Sequence, residues 1–418
     1  MGLGAVLSRI REPEESTSYS LDYQPEVKRS RPLNRKERRA LKQAELKESY
    51  ENISAIKIPD YKKATPPVFK IIEVDEQAFQ NYNASFGYNA TRNNNYVRYS
   101  LLGPSGQYAA VASQDRYVRV YKLENDKPHI HWKHNMGGLV YDIKFMNNDK
   151  FLVTSKEHPI HAFDAETGER VGAYIGRDHA DAVEAAMCVG MVGDTVIGGY
   201  KKDFKLWNVE RGGKPVSNFP YYDKKSYNGL TGRAMSICAH PSMPNIFAAV
   251  GCCDRIAVYS DKWKSPISTI ETNTKSYTHV LYSSDGMKLY ASERKGDIHC
   301  FDLRMNMMCQ ILKREMTTNH RAIFDIDSSL LFSGTSSGEI VAYDIGSVDE
   351  ELEPISKTRI ASTCVPCVSV ASGKLVACSG ERIFPSVGLC DTDEENENQL
   401  DSFTLYPANS FQFISYAF

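Results

Sequence analysis

The sequence predicts an all-β fold, a propeller of seven blades, and two recurring patterns predict it. The first is a set of six aromatic residues with spacings of 42, 44, 52, 42 and 42 residues: Tyr121, Phe163, Trp207, Tyr259, Phe301 and Tyr343. The second is an apolar strand that ends in small residues and runs into a polar turn, as in AAVASQD, FLVTSKE and LFSGTSSG. Seven copies of this second pattern occur along the chain, which predicts one for each blade.

The residues around each aromatic indicate the kind of propeller. Each aromatic ends a short run in which apolar and polar residues alternate, as in FKLWNV and IHCFDL, and such alternation is typical of strands. Three of the six are followed by aspartate and one by asparagine. A degenerate Trp-Asp pair with a period of about 40–45 residues is the mark of the WD40 repeat. We therefore predict a seven-bladed WD40 β-propeller, in which four-stranded blades pack around an axis.

Both ends of the predicted propeller domain, residues 67–418, are expected to meet in blade 7. The third-strand signature of this blade is missing after Val376–Arg382 and reappears in FQFISYAF, Phe411–Phe418. The segment 383–410, which is acidic, is then an insertion in a turn of blade 7. The run at 67–74, PVFKIIEV, is expected to supply the outer strand and so to remove an open sheet edge.

Residues 1–66 are predicted to form a mostly disordered basic tail, because they are rich in charge and poor in β-branched runs. Seven of the twelve residues 28–39 are cations, which predicts a nuclear-import segment or an arm that contacts RNA. The alternative is a solvated charged tail. The candidate nuclear-import residues are Lys28, Arg29, Arg31, Arg35, Lys36, Arg38 and Arg39.

Bulk composition narrows the remaining classes of function. The formal net charge is -2, so any site for a polyanion has to come from local charge asymmetry. No apolar run approaches the roughly 18 residues of a membrane span, so no membrane partner is expected. The N-terminus does not resemble a secretion signal, so we expect a cytosolic or nuclear protein whose ten cysteines are reduced.

Three short motifs resemble chemical sites and are expected to be structural. GTSSG, Gly334–Gly338, matches a nucleophile elbow, but a strand rather than a helix follows it. CVPC, Cys364–Cys367, has the spacing of a metal pair, but residues i and i+3 of a strand face opposite sides. HIHWKH, His129–His134, is expected on a solvent-facing outer strand. We therefore predict no catalytic residue, no metal site and no cofactor, and a protein that is not an enzyme.

Cations in the loops are the strongest functional signal. In a propeller, the turn between the second and third strands and the loop between blades lie on one face. Cations outnumber acids in these segments: Lys156, His158, Arg177, His179, Lys201, Lys202, Arg233, Arg255, Lys275, Arg294, Lys295, Arg314, Arg321 and Arg382. Tyr277 and His320 are expected to add flat surfaces for stacking. Cations with interleaved rings suit single-stranded RNA, and the alternative is ordinary loop charge.

Four stretches resemble the telomerase Cajal body protein family, WD40 proteins that recognise the CAB box of small Cajal body RNAs and of telomerase RNA. They are SKEHPIHAFDAETGER, REMTTNHR, FDIDSSLLFSGTSSGEIVAYD and SGERIFP, and the resemblance runs from about Val97 to Pro385. REMTTNHR, Arg314–Arg321, is the most specific of them, because the WD40 repeat does not require it. We expect Arg314 and Arg321 to be central to RNA docking; the alternative is that this motif latches blade 5 to blade 6. The candidate RNA-binding residues are Arg314, Thr317, Thr318, Asn319, Arg321, Lys156, His158, Lys201, Lys202, Arg294, Lys295 and Arg382.

The resemblance implies an RNA-binding scaffold. It implies binding of H/ACA-type small Cajal body RNAs, work beside dyskerin-containing H/ACA core proteins, and direction of these particles to Cajal bodies in the nucleus, with some protein in the cytoplasm. Telomerase RNA is an implied client where it carries a CAB box, and a cytosolic chaperonin is an implied folding partner. Two rivals remain open: a substrate receptor of a cullin-type ubiquitin ligase, suggested by FDLR at Phe301–Arg304, or a generic protein-protein scaffold.

Overall fold

The computed structural model describes residues 64–79, 95–124, 127–263, 265–294, 296–319, 321–381 and 408–417. They form an all-β propeller of seven blades, which confirms the predicted fold class. The predicted tail up to residue 63, with its nuclear-import candidates, and most of the predicted insertion at 383–410 lie outside the described residues. Within the described part of the chain, no helix is long and apolar enough to cross a membrane.

Each blade is built on a four-stranded antiparallel sheet, whose first strand lies nearest the axis and whose last strand lies outermost. Blades 1 to 3 are β2 (Val97–Leu102), β3 (Tyr108–Ser113), β4 (Tyr117–Glu124) and β5 (Lys127–Asn135); β6 (Val140–Phe145), β7 (Lys150–Ser155), β8 (Ile160–Asp164) and β9 (Arg170–Tyr174); β10 (Cys188–Val192), β11 (Thr195–Gly199), β12 (Asp203–Asn208) and β13 (Ser217–Pro220). Blades 4 and 5 are β16 (Ala234–Ala239), β17 (Ile246–Gly251), β18 (Arg255–Ser260) and β19 (Pro266–Glu271); β20 (Tyr277–Tyr282), β21 (Lys288–Glu293), β22 (Ile298–Asp302) and β23 (Met307–Leu312).

The last two blades and three small elements complete the described structure. Blades 6 and 7 are β24 (Asp325–Asp327), β25 (Leu330–Gly334), β26 (Glu339–Asp344) and β28 (Ser356–Arg359); β29 (Cys367–Ala371), β30 (Lys374–Ser379), β31 (Ser410–Ala417) and β1 (Val68–Asp75). A hairpin of β14 (Tyr222–Asp223) and β15 (Asn228–Gly229) follows blade 3. The short strand β27 (Glu351–Leu352) pairs in parallel with β23, and a single 3-10 turn, Gln77–Phe79, follows β1.

The repeating aromatic residues occupy one equivalent position on the third strand of their blades. Each pairs with the second residue of the second strand, as Trp207 does with Val196, and all six are buried. In blade 7 the same position holds Ile414, which pairs with Leu375 and is fully buried. An aliphatic side chain fills the place of the aromatic there, which explains why the sequence shows only six regular aromatics.

The polar residue that follows the aromatic caps the turn to the outer strand. In blade 2, Oδ1 of Asp164 accepts hydrogen bonds from the backbone N–H groups of Glu166 and Thr167, both at 2.9 Å. In blade 3, Oδ1 of Asn208 accepts one from the N–H of Glu210 at 3.0 Å. Short carbonyl-bearing side chains favour such turns because they satisfy backbone donors that the sheet leaves unpaired.

Blade 7 contains strands from both ends of the described chain. β31 pairs with β30 on one side and with β1 on the other, in a register that runs from Val68 opposite Ala417 to Asp75 opposite Phe411. Blade 1 packs against this seam, since the rings of Tyr121 and Phe411 stack at 4.4 Å and the Tyr121 hydroxyl donates to Asp75 Oδ2 at 2.6 Å. Pairing of β1 with β31 covers an edge that would otherwise be open.

Polar side chains on the inner strands tie neighbouring blades together. Asp142 of blade 2 accepts a hydrogen bond from the backbone N–H of Val189 in blade 3 at 2.9 Å. Asp325 of blade 6 accepts one from the N–H of Val370 in blade 7, also at 2.9 Å. Burial raises the pKa of both carboxyl groups, and the bonds they accept oppose that effect.

Candidate nucleic-acid interface

Arg314 lies in the loop from blade 5 to blade 6, and its guanidinium is buried, with 6% of the residue exposed. Nε and Nη2 donate to the carbonyl of Gly296, in the turn between β21 and β22, at 2.9 and 2.7 Å. Nη2 also donates to Ser292 Oγ at 2.9 Å, and Nη1 donates to Ser333 Oγ of blade 6 at 3.3 Å. Burial lowers the pKa of Arg314 to about 10, so it is still a cation at neutral pH. Through these bonds Arg314 joins blade 5 to blade 6.

Arg321, at the end of the same motif, points into the axis of the propeller. Its Nη1 pairs with Asp142 Oδ1 at 3.0 Å and donates to the Tyr99 hydroxyl at 3.0 Å. Its Nε donates to the carbonyl of Thr278 at 3.0 Å. One guanidinium therefore connects the inner strands of blades 1, 2 and 5 to the loop that precedes blade 6.

The expectation that Arg314 and Arg321 form an exposed centre of an RNA site has to be corrected. All three guanidinium nitrogens of Arg314 donate to protein atoms, and so do Nε and Nη1 of Arg321, so both guanidiniums are engaged within the fold. The geometry favours the alternative that this motif is a latch, in which the two arginines bond to carbonyl, hydroxyl and carboxylate groups of other blades. Between the arginines, Thr317 and Asn319 are exposed and Thr318 is half-buried, so their role as base-reading groups stays a prediction.

The axis of the propeller is filled beside Arg321. A cavity of about 30 Å³ remains there, lined by inner-strand residues that include Lys144 and His279, which is room for one or two water molecules. His279 is half-buried by accessible surface, and its desolvation, reinforced by the charges of Arg321 and Lys144, holds its pKa well below the ordinary value. The part of the axis that surrounds Arg321 and His279 is therefore closely packed.

Exposed cations lie instead on blades 2 to 5 of the loop face, by which we mean the face with the second-to-third-strand turns and the loops between blades. We call this set the cationic arc: Lys156, Arg177, His179, Lys201, Lys202, Arg233 and Lys275. Lys156 and Arg177 pair with acids of their own turns, Glu157 at 3.2 Å and Asp181 at 3.1 Å. Such exposed pairs contribute little energy and are easily exchanged. The other lysines and arginines of the arc have no ion-pair partner among the described residues.

Lys201 and Lys202 stand at the rim of an open pocket of about 670 Å³ on blade 3, which Arg177 and His179 also line. A third lysine, Lys205, lies buried beneath them and pairs with Glu184 Oε2 at 2.6 Å and Asp203 Oδ1 at 3.5 Å. The two carboxylates neutralise this buried charge, as burial of a lysine requires. The positive charge that is free to meet a ligand therefore lies on the rim.

The remaining predicted contacts are less accessible or fall outside the described residues. His158 is half-buried. Arg294 is half-buried and its Nη2 donates to Cys252 Sγ at 3.2 Å. Tyr277 is corrected as a stacking surface, because it is fully buried and its hydroxyl contacts His299 Nδ1 at 2.9 Å. The predicted residues outside the described part of the chain are Lys295, His320 and Arg382.

Sequence reasoning missed one cationic segment of this face. Lys224 and Lys225 are exposed at the tip of the hairpin between blades 3 and 4. A signal for it was present in the repeat, since the interval from Trp207 to Tyr259 is 52 residues where the other intervals are 42 to 44. The extra length is that of the hairpin.

The motifs that resemble chemical sites are parts of the turns and strands of the blades. Ser336 lies in the turn between β25 and β26, and its Oγ donates to the Glu315 carbonyl at 3.3 Å. Cys364 and Cys367 contact different partners, Met316 Sδ at 3.9 Å and the Ser100 carbonyl at 3.0 Å. The histidines of HIHWKH lie on the outer strand β5. Among the described residues, no group of three or more His, Cys, Asp or Glu side chains is arranged to hold a metal ion.

Arg304, of the FDLR motif, lies on the face opposite to the cationic arc, in the turn between β22 and β23. Its side chain is 68% exposed, and its Nη2 pairs with Asp302 Oδ2 at 2.7 Å. Asp302 Oδ1 also accepts a hydrogen bond from the backbone N–H of Arg304 at 2.8 Å. The guanidinium is thus held in one orientation and presented to solvent, an arrangement that suits both a brace of the turn and a contact with a partner.

The repeating blades and their third-strand aromatics define a WD40-type β-propeller. Over 350 residues the chain is 27% identical to telomerase Cajal body protein 1 of Mus musculus, in an alignment that covers 77% of the chain and 65% of that protein. Over 325 residues it is 25% identical to the protein of that name from Homo sapiens, covering 71% of the chain and 59% of the relative. These similarities confirm the resemblance to the telomerase Cajal body protein family. The chain spans about two thirds or less of the length of these relatives.

A relative with a different name shares the similarity. The chain is 22% identical over 323 residues to guanine nucleotide-binding protein negative regulator 1 of Schizosaccharomyces pombe, which covers 69% of the chain and 81% of that protein. A comparison with models of protein families gives no match.

Proposed function

We propose that this propeller is an RNA-binding scaffold that recognises H/ACA-type small Cajal body RNAs and directs their ribonucleoproteins to Cajal bodies in the nucleus. Telomerase RNA is a further client where it carries a CAB box. The observation that carries the proposal is the cationic arc, whose cations are exposed and mostly without ion-pair partners among the described residues. The names of the Cajal body relatives support the choice of RNA.

The charge distribution supports RNA over an uncharged partner. The whole chain has a formal charge of -2, so the arc is a local excess of positive charge on a protein that does not attract polyanions as a whole. Lysine and arginine contacts to phosphates supply most of the affinity and the orientation in such complexes. The exposed Thr317 and Asn319 of the neighbouring loop add groups that can read base edges.

The same proposal covers partners and location. H/ACA core proteins, including dyskerin, would reach the scaffold through the RNA or through other surfaces of the propeller. A cytosolic chaperonin is the proposed folding partner, because a ring of non-local strand pairings folds slowly, and it accounts for a cytoplasmic fraction. A scaffold rather than an enzyme is proposed, and the turn position of Ser336 supports this interpretation.

Crosslinking of the tagged protein to RNA in cells, followed by sequencing of the bound RNA, tests the proposal. We expect CAB-box RNAs to dominate for the wild type and to fall for the double variant Lys201→Ala, Lys202→Ala. The matched control is Arg211→Ala, Lys214→Ala, which removes two cations of the same blade from the turn between β12 and β13, on the opposite face. Recovery of no CAB-box RNA by the wild type would reject the proposal.

A second candidate function is a substrate receptor of a cullin-type ubiquitin ligase, favoured by the exposed and oriented Arg304. Pull-down of the ligase adaptor with the wild type and with Arg304→Ala separates the two candidates. Adaptor that is captured by the wild type and lost with Arg304→Ala would support the ligase function. Absence of adaptor from both would leave Arg304 as a brace of its turn.

A further inference from the structure

The hairpin between blades 3 and 4, Tyr222–Gly229, is an addition to the repeating blade plan. The tip of its loop carries Lys224 and Lys225, which are exposed, and Tyr227, which is 73% exposed. A tyrosine usually keeps most of its ring out of water, since the ring is large and largely apolar. Here the ring serves neither the core nor an interface between blades.

The backbone at Tyr227 makes the choice of residue more informative. Its φ is +57°, in the left-handed region that glycine and asparagine adopt most readily. A bulky residue there costs energy that the rest of the hairpin has to offset. The turn itself therefore gains nothing from a tyrosine, which points to a use for the ring outside the fold.

The stem of the hairpin is held firmly on blade 4. The N–H of Gly229 donates to Thr269 Oγ1 at 2.8 Å, and Arg255 Nη1 donates to the carbonyl of Tyr227 at 3.2 Å. The Arg255 guanidinium also lies over the Tyr222 ring at 5.6 Å. The hairpin is therefore a stiff support, and the backbone that carries a ring and two ammonium groups at its tip is ordered before any ligand binds.

The hairpin is also continuous with the lysine pair of blade 3. Just before it, the N–H of Tyr221 donates to the carbonyl of Lys202 at 3.1 Å. The Tyr221 hydroxyl donates to the carbonyl of Tyr200, next to Lys201, at 2.6 Å. The backbone that leads into the hairpin is thus bonded to the blade 3 turn that carries Lys201 and Lys202, and the second lysine pair, Lys224 with Lys225, follows three residues later.

We propose that this hairpin is a base-stacking arm for RNA: the ring of Tyr227 stacks on an unpaired base, while Lys224 and Lys225 contact the flanking phosphates. The inference rests on the proposed function and names a residue that the loop charges alone do not predict. Aromatic rings paired with cations are the usual means of holding single-stranded nucleic acid, because every base has a face on which a ring can stack. An acidic protein segment that contacts the same lysines and ring is the competing outcome of the test.

The test measures the Kd of a CAB-box hairpin RNA for the full chain over a range of salt concentrations. Tyr227→Ala keeps the Cβ and the stem and is expected to weaken binding about 5- to 150-fold with an unchanged salt slope. Tyr227→Phe keeps the ring and is expected to bind as the wild type does. Lys224→Ala with Lys225→Ala is expected to flatten the slope of log K against log salt by about 1.4, from roughly 0.7 for each phosphate contact of a single strand.

Two comparison variants separate this inference from the proposed function. Trp263→Ala removes another exposed ring, 52% exposed in the turn between β18 and β19 on the opposite face, and is expected to have no effect. Wild-type affinity of Tyr227→Ala, together with loss of binding in Lys201→Ala, Lys202→Ala, would overturn the stacking arm and leave the RNA function standing. Wild-type RNA affinity in both variants would reject the stacking arm and the proposed RNA function. The stacking role would also be overturned if Tyr227→Phe and Tyr227→Ala lost RNA affinity equally. It would likewise be overturned if Tyr227→Ala lost a protein partner while its RNA affinity stayed intact.

Discussion

Two cation-bearing regions of the loop face differ in where their charges point. The loop between blades 5 and 6 directs Arg314 and Arg321 inward, to carbonyls, hydroxyls and Asp142. The cationic arc directs Lys201 and Lys202 outward, to the rim of an open pocket. In the sequence the two regions look alike, because both are basic segments of the same predicted face: one is a loop between blades, and the other is a turn between the second and third strands.

The difference teaches that the distinctive motif and the binding surface need not coincide. The two arginines of REMTTNHR bond neighbouring and opposite blades to one another inside the propeller. The lysines of the arc are unremarkable as sequence and are exposed because nothing in the fold needs them. We therefore expect variants of the first region to change stability and variants of the second to change RNA affinity.

The largest expected effect is that of Arg321→Ala on stability. It leaves Asp142 buried without its cation, at a cost of about 3–5 kcal/mol in the free energy of unfolding. Denaturant unfolding followed by fluorescence measures it. Arg321→Met combined with Asp142→Asn removes both charges and keeps an acceptor for the Val189 N–H, so this double variant is expected to recover part of the loss. A loss in the single variant below about 0.5 kcal/mol, the range of ordinary surface changes, would contradict the latch role of Arg321.

Arg314→Ala is expected to cost somewhat less, about 2–3 kcal/mol, because it leaves the Gly296 carbonyl and two serine hydroxyls without their donor. Thermal melting gives the loss of stability, and RNA affinity of the folded fraction is measured beside it. We expect early melting with unchanged affinity. Normal melting with weakened affinity would mean that Arg314 leaves its pocket to bind RNA.

The fold class was predictable because the physics of a blade repeats in the sequence. An aromatic at one register position, a capping aspartate and a strand of small residues recur, and even the exception, Ile414, is an apolar residue at the same buried position. The direction of a loop side chain has no such periodicity. Arg314 is buried because the Gly296 carbonyl and two serines converge on it from two blades, and Tyr277 is buried because it begins an inner strand. Such convergence depends on tertiary structure, so the site was predicted only in part.

Acid is expected to lower the free energy of unfolding through His279, which lies beside Arg321 at the propeller axis. Its folded-state pKa lies below the ordinary value of 6.5, so the unfolded chain binds the proton more tightly than the folded chain does. Stability from this group is present above pH 6.5 and falls as the pH drops below it, by at most about 1.4 kcal/mol per pH unit. Unfolding free energies at pH 7.5 and 5.5 for the wild type and His279→Gln measure the difference. An equal pH dependence in both proteins would contradict a lowered pKa of the His279 imidazole in the folded protein.

The smallest effect on stability is expected for the arc. Lys201→Ala with Lys202→Ala removes two exposed side chains without ion-pair partners in the described structure, so the change should stay within about 0.5 kcal/mol. The melting temperature of this variant, beside that of Arg211→Ala with Lys214→Ala, gives the comparison. A larger loss for the first pair would show that the lysines support the blade 3 pocket rather than a ligand.

The most direct test of the outward site is the salt dependence of binding of a CAB-box hairpin RNA to Lys201→Ala, Lys202→Ala. If both lysines contact phosphates of a single strand, the slope of log K against log salt should flatten by about 1.4 relative to the wild type. The control pair on the opposite face, Arg211→Ala with Lys214→Ala, should keep the wild-type slope. An unchanged slope and affinity in the Lys201 and Lys202 variant would contradict the assignment of RNA binding to the cationic arc.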